Sequence, residues 1–246
     1  MSSRGGGGQI MLKARTKLTP TSTRTREQLI LAGERLFAEQ GIDNVSLRQI
    51  NAEAGQRNSS ASHYHFGSKE SLVTAISDYR FEHLNERRNA MLAALSPTVE
   101  PRPVRTLIEV LVYPIVEEID NSEGGENFIR FISQVLGHPT ISLIGMWRSQ
   151  FDGSVGQVYH ALRAALPEIP DEVFGPRFGL MWMLAVNGLA DRQRLGEVAK
   201  NTLAFSLPVL FITNLVDSLS GLISAPVSAS TLTEIHELRA RGERRS

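Results

Sequence analysis

The stretch SLRQINAEAGQRNSSASHYHFGSKESL, Ser46 to Leu72, decides the fold. Ser46 is a good N-cap, and Gln49 three residues later completes an S-x-x-Q capping box, with Val45 placed as the hydrophobic staple. Leu47, Ile50 and Ala54 share one helical face, and Gly55 ends the helix after barely two turns. A third short helix is expected from near Asn58 or Ser59 to about Tyr64 or His65. Ser68 caps a fourth, which runs to about Leu95. Two short helices joined by a glycine-containing turn form a helix-turn-helix. The second member of such a pair lies in the major groove of DNA, its N-terminal residues toward the base edges.

The side chains suit that role. Ser59, Ser60, Ala61 and Ser62 are small enough for close approach to a groove floor. Arg57 and Asn58 stand at the expected helix start and can read guanine and adenine bidentately, or bind phosphate. Ser46, Arg48, Ser62, His63 and Tyr64 are candidate phosphate donors. Lys69 is another, beside the open N–H groups of the fourth helix. Phe66 reads as a core plug. His63 and His65 are spaced i, i+2 and do not share a helix face, so no metal site is expected.

Upstream, TREQLILAGERLFAEQG places Leu29, Ala32, Gly33, Leu36 and Phe37 on one stripe, with Gly41 as the stop. Residues 1–23 are rich in Gly, Thr and basic residues and lack the apolar core of a signal peptide; they read as a disordered basic arm. Downstream, three prolines in Ser96–Pro103 make a loop. Helices are then expected over roughly 104–120, 126–137, 141–165, 171–194 and 202–223, followed by a polar tail over 224–246 that can form one weak helix. No alternating strand pattern is present, so the fold class is all-α. The expected organisation is the arm, a helix-turn-helix domain over 24–70, a larger helical domain over 71–223 and the tail.

Charge is asymmetric although its total is zero: Met1–Arg88 carries 13 basic and 9 acidic residues, the remainder 13 and 17. That pattern suits a polyanion at one end. The absence of cysteine excludes disulfides, thiolate metal sites and a Cys nucleophile, and fits a cytoplasmic protein. The most membrane-like run, Asn201–Val216, is too short to span and contains Pro208 and Asn214; it reads as a buried or interface helix.

The block from about Arg24 to Leu72 resembles the DNA-binding domain of the TetR (tetracycline-repressor-like) family. LILAGERLFAEQG, VSLRQINAEAG and HYHFGSKESL carry the likeness. The last is similar to the family's Tyr-x-Tyr-Phe-x-x-Lys-Glu signature, with His63 and His65 at the two Tyr positions. Between Gly55 and Phe66 this chain is one residue longer than the commonest family pattern. The resemblance implies a homodimer that binds double-stranded operator DNA, with a C-terminal domain that binds a small-molecule effector and supplies the dimer interface. The last two long helices are the candidates for that interface, their apolar faces pairing across a two-fold or packing within the chain. Phe128, Phe131, Trp147, Phe151, Phe178, Met181 and Trp182 are candidate pocket walls, and Arg130, Arg148 and Asn187 candidate polar contacts. A largely apolar effector, fatty-acid or acyl-CoA-like, can pair its acid with an arginine. No cofactor is expected.

G-x-S-x-G, H-E-x-x-H, S-x-x-K and P-loop patterns are missing, so no enzyme is expected. The expectation is a ligand-responsive transcriptional repressor. The alternative is an effector-blind DNA-binding dimer whose C-terminal domain only dimerises or recruits a partner.

Overall fold

The computed structural model describes residues 20–58, 60–95, 101–139, 141, 153–192, 194–195 and 208–243. Every regular element among them is an α-helix. The first four are α1 (Pro20–Gln40), α2 (Leu47–Glu53), α3 (Ala61–Phe66) and α4 (Lys69–Ala94). They are followed by α5 (Val104–Asn121), α6 (Gly125–Gly137), α7 (Ser154–Ala165) and α8 (Asp171–Ala190). The last two are α9 (Pro208–Ser224) and α10 (Ala229–Glu243). Helix α1 begins at Pro20, inside the expected arm, where a proline in the first turn costs no hydrogen bond. The tail forms α10, which docks by burying Ile235 and by an Arg239–Glu172 ion pair to α8.

The stripe expected on α1 is the one that is buried: Leu29, Ala32, Gly33, Leu36 and Phe37. It packs on α4 and α6, and α2 and α3 close the unit from the other side. Beyond it, α5 packs on α4, α6, α7 and α9, while α8 is sandwiched between α6 and α9. One hydrophobic cluster runs through all these helices from Leu29 to Ile223. Phe131 of α6 stacks on Phe37 of α1 at 6.1 Å, and Phe128 of α6 meets Phe81 of α4 edge-on at the same distance. The N-terminal unit is therefore bound to the C-terminal helices by aromatic packing.

The turn from α5 to α6 is where these helices approach most closely. A Cβ on Gly125 would lie 2.3 Å from the Glu118 carbonyl oxygen and 2.7 Å from the Ile119 Cα. Both are backbone atoms that cannot swing away. Gly125→Ala is therefore expected to destabilise the protein by about 1–3 kcal/mol, as overpacking does. Urea unfolding checks this; an unchanged midpoint would mean that α6 can slide along α5.

Candidate functional site

The α2–α3 unit is built by short-range polar bonds. The Ser46 hydroxyl accepts from the Gln49 N–H at 3.3 Å, and the Ser46 N–H donates to Gln49 Oε1 at 2.8 Å, which is the expected capping box. Val45 and Ile50 are both buried, as a staple requires. Gly55 takes φ +66°, a left-handed conformation that suits glycine, and turns the chain out of α2. Asn51 then joins the two helices: its Oδ1 accepts the Ser62 N–H at 2.9 Å in a buried position.

The recognition helix starts later than expected. Its first residue is Ala61, so Arg57 and Asn58 lie in the turn before it rather than at its opening. The Asn58 side chain explains the delay. Its Oδ1 accepts the Ser60 N–H at 2.9 Å and its carbonyl accepts the Ala61 N–H at 3.1 Å, which forms a local turn. Ser62 is fully buried, not a phosphate donor on the surface. Ser46, Arg48, Arg57, Asn58, Ser60, His63 and Tyr64 are exposed, Tyr64 to 79%. Ser59 lies outside the described residues.

Lys69 is half-buried. Its ammonium donates to the carbonyls of Ile42 at 2.9 Å and Asp43 at 3.3 Å, tying the α1–α2 turn to the start of α4. Phe66 packs against the core, with the Arg26 guanidinium 5.3 Å from its ring centre. Burial, and then the charge of Arg26, depress the His65 imidazole below its usual value.

A buried ion network connects this unit to the rest of the chain. Arg80 of α4 donates from Nε and Nη2 to both carboxylate oxygens of Glu34 on α1, at 2.8 and 2.6 Å. Its Nη1 donates to Glu118 on α5 at 2.7 Å, and Nη2 also reaches the Glu123 carbonyl at 2.7 Å. All three side chains are more than nine-tenths buried. Burial raises the Glu34 carboxyl above its ordinary range, against the pull of Arg80. Burial alone would lower Arg80, but the hydrogen bonds and charge of Glu34, then of Glu118, hold it above its ordinary value. A cleft of about 370 Å³ opens beside this network, lined by Gln28, Leu31, Arg35, Glu53, Gly124 and Asn127.

The described residues expected to line an effector pocket have different surroundings. Phe128 and Phe131 face the seam with α4 and α1, because the buried side of α6 is the side that packs on those helices. Arg130 is on the surface and pairs with Glu126 at 3.6 Å. Asn187 is exposed, accepts from Ser133 Oγ at 2.6 Å and donates to the Met183 carbonyl at 2.8 Å. Phe178 is locked edge-on against Tyr159 at 5.1 Å, and Met181 is buried beside it on α8. Trp147, Arg148 and Phe151 lie outside the described residues. Among the described residues, two of the expected walls meet buried cations: the Phe128 ring centre lies 5.9 Å from the guanidinium of Arg80, and the Trp182 ring centre 5.8 Å from that of Arg88. Arg88, like Arg80, gave no sequence signal beyond a basic residue within an amphipathic helix.

A short helix with an exposed polar side, held by a capped partner helix on an all-helical body, defines a helix-turn-helix DNA-binding regulator of transcription. Two family matches agree. Residues 29–76 match the family described as bacterial regulatory proteins, tetR family, and residues 109–221 match the tetracyclin repressor-like C-terminal domain. The chain belongs to the tetR family of transcriptional regulators. A curated relative, the HTH-type transcriptional dual regulator CecR of Shigella flexneri, is 31% identical over 127 residues. That alignment covers 50% of this chain and 56% of the relative, so the chain spans just over half the length of that protein. Among solved structures, the fatty acid degradation regulator FadR from Bacillus halodurans aligns with a TM-score of 0.55 at 12% identity, covering 82% of this chain and 99% of that one. A TetR-like regulator from Rhodococcus sp. RHA1 aligns at 0.51 and 16%, covering 82% and 96%. At these identities the likeness is one of fold.

Removing Arg80 leaves two carboxylates buried without a counter-charge. Arg80→Met is expected to cost about 3–5 kcal/mol of folding stability, measured by urea unfolding. A cost near that of a surface substitution would show that the network opens to water.

Proposed function

We propose that this chain is a homodimeric repressor that an apolar small molecule releases from a near-palindromic operator. The observation that carries the reading is the exposed set Arg57, Asn58, His63 and Tyr64 on and before α3, on a unit anchored through Arg80 to the effector helices. Arg57 and Asn58 approach the bases or the phosphates from the turn, and Tyr64 and His63 approach from the helix itself. Ser46, Arg48 and Ser60 border this surface and contact the phosphate backbone. Lys69 acts mainly as a brace, because two carbonyls already hold its ammonium.

The dimer forms through α8 and α9. These helices pack on each other within the chain, yet Leu180, Met183 and Leu184 of α8 and Val209 and Leu210 of α9 remain exposed. The α8 positions follow the i, i+3, i+4 spacing of one helix face, which suits a four-helix bundle across a two-fold axis. Two recognition helices then enter successive major grooves about 34–36 Å apart. A ligand that favours a different spacing weakens operator binding by its differential affinity for the two states, typically about 1–3 kcal/mol. A fatty-acid or acyl-CoA-like effector suits the apolar interior of the C-terminal helices. No single helix among the described residues is long and apolar enough to cross a membrane, and we place the regulator in the cytoplasm.

Selection of binding sites from random duplex DNA tests the reading. A near-palindromic motif with steeply salt-dependent affinity is expected; failure of the folded protein to enrich any motif would sink it. Tyr64→Ala or Arg57→Ala should weaken binding or relax preference at a half-site position. Lys69→Met should lower stability while leaving the salt slope unchanged, whereas a slope reduced by about 1 would return Lys69 to the phosphate contacts. Leu184→Glu should yield monomers in sedimentation equilibrium and abolish operator binding. A variant that stays dimeric would exclude α8 from the interface.

A further inference from the structure

Arg88 is a guanidinium in the wrong place for a structural residue. It lies on the buried stripe of α4 between Leu84 and Leu92 and is itself fully buried. Its Nε and Nη2 find no hydrogen-bond partner among the described residues. Nη1 has one long contact, 3.5 Å to Asn85 Oδ1. Burial pushes its pKa down to about 10, and no carboxylate among the described residues offsets the loss of water. An unpaired buried charge is among the most destabilising features a core can hold.

The two unfilled atoms are informative. Nε and Nη2 carry the parallel N–H groups that make the side-on fork of a guanidinium. Elsewhere in this chain the same fork holds a carboxylate. It does so in Arg80 with Glu34 at 2.8 and 2.6 Å, Arg87 with Glu117 at 2.7 and 2.9 Å, and Arg239 with Glu172 at 2.7 and 3.0 Å. Arg88 presents that fork in the interior of the effector domain with no acid facing it among the described residues. Ser154 at the start of α7, itself buried, donates to the same Asn85 Oδ1 at 2.7 Å, and the Trp182 ring lies on another side.

We infer that Arg88 is the anchor of an effector site for a carboxylate on an apolar body, with the acid seated side-on against Nε and Nη2. Asn85 and Ser154 fix the far edge of the guanidinium, and Trp182 contributes to the apolar wall. Arg88 stands eight residues beyond Arg80 on α4, about 12 Å along the same helix. A carboxylate drawn to Arg88 thus acts on the helix that holds the DNA-binding unit. The inference deepens the effector reading above and replaces the surface cation Arg130 with a buried one.

The test uses the full chain without DNA, so a failure here is separate from a failure to bind an operator. Octanoate, dodecanoate, hexadecanoate, phenylacetate and the matching alcohols are titrated into the wild type, Arg88→Met and Arg88→Lys by calorimetry. Melting temperatures are measured with and without each compound. At least one carboxylate is expected to bind the wild type more tightly than its alcohol. Arg88→Met should weaken that acid by about tenfold or more while leaving the alcohol unaffected, and Arg88→Lys should keep part of the preference. Without ligand, Arg88→Met should melt at a higher temperature than the wild type, because it removes an uncompensated charge. A lower melting temperature would make Arg88 a structural brace and overturn the inference. So would equal binding of acid by wild type and Arg88→Met, or binding of no carboxylate in the set.

Discussion

The position of the DNA-binding unit depends on one guanidinium. Arg80 takes both oxygens of Glu34 from α1 and one oxygen of Glu118 from α5. It also takes the Glu123 carbonyl, at the turn where Gly125 lets α6 press onto the α5 backbone. A buried ion pair tolerates little displacement, because each broken bond strands a charge away from water. Helix α1 therefore cannot shift relative to α5 without a cooperative rearrangement of all three side chains. Beside the network, the Phe128 ring lies 5.9 Å from the Arg80 guanidinium and meets Phe81 edge-on. A motion of α4 moves Arg80, and Arg80 moves Glu34 and the helix on which α2 and α3 rest.

The same helix carries its two buried arginines in contrasting states. Arg80 is saturated with acceptors from three elements. Arg88, two turns on, touches one amide oxygen at the limit of a hydrogen bond and an indole face. In sequence the two are indistinguishable: each is a basic residue inside an amphipathic helix rich in Glu, Asn and Arg. The partners of Arg80 come from 46 and 38 residues away, so tertiary packing alone distinguishes a brace from an unfilled site.

What could be read from the sequence was what is encoded locally. The capping box at Ser46 and Gln49, the glycine turn at Gly55 and the cap at Ser68 involve residues within a turn of one another, and they place α2 and α4 within a residue or two. The start of α3 was less accessible. Asn58 uses its own side chain to hold a turn, which delays the helix to Ala61. Burial phase on α6 was not legible either. Phe128 and Phe131 belong to an apolar stripe that suits a pocket wall or a helix seam equally well, and only the position of α1 decides between them. Lys69 shows the same limit, since the carbonyls that hold it are 27 and 26 residues away.

The two sides of α3 have separate duties. Inward, Ala61, Ser62 and the Asn51 bond fix the helix to its scaffold. Outward, Arg57 and Tyr64 reach solvent, so their replacement is expected to change folding stability by no more than about 0.5 kcal/mol, whereas Asn58 also holds the turn before the helix. At those two positions the surface proposed to meet DNA can thus be rewritten one residue at a time without compensating changes in the core. In evolutionary terms, a gene duplicate of this chain would be free to drift toward a new operator while its fold stayed under the same selection.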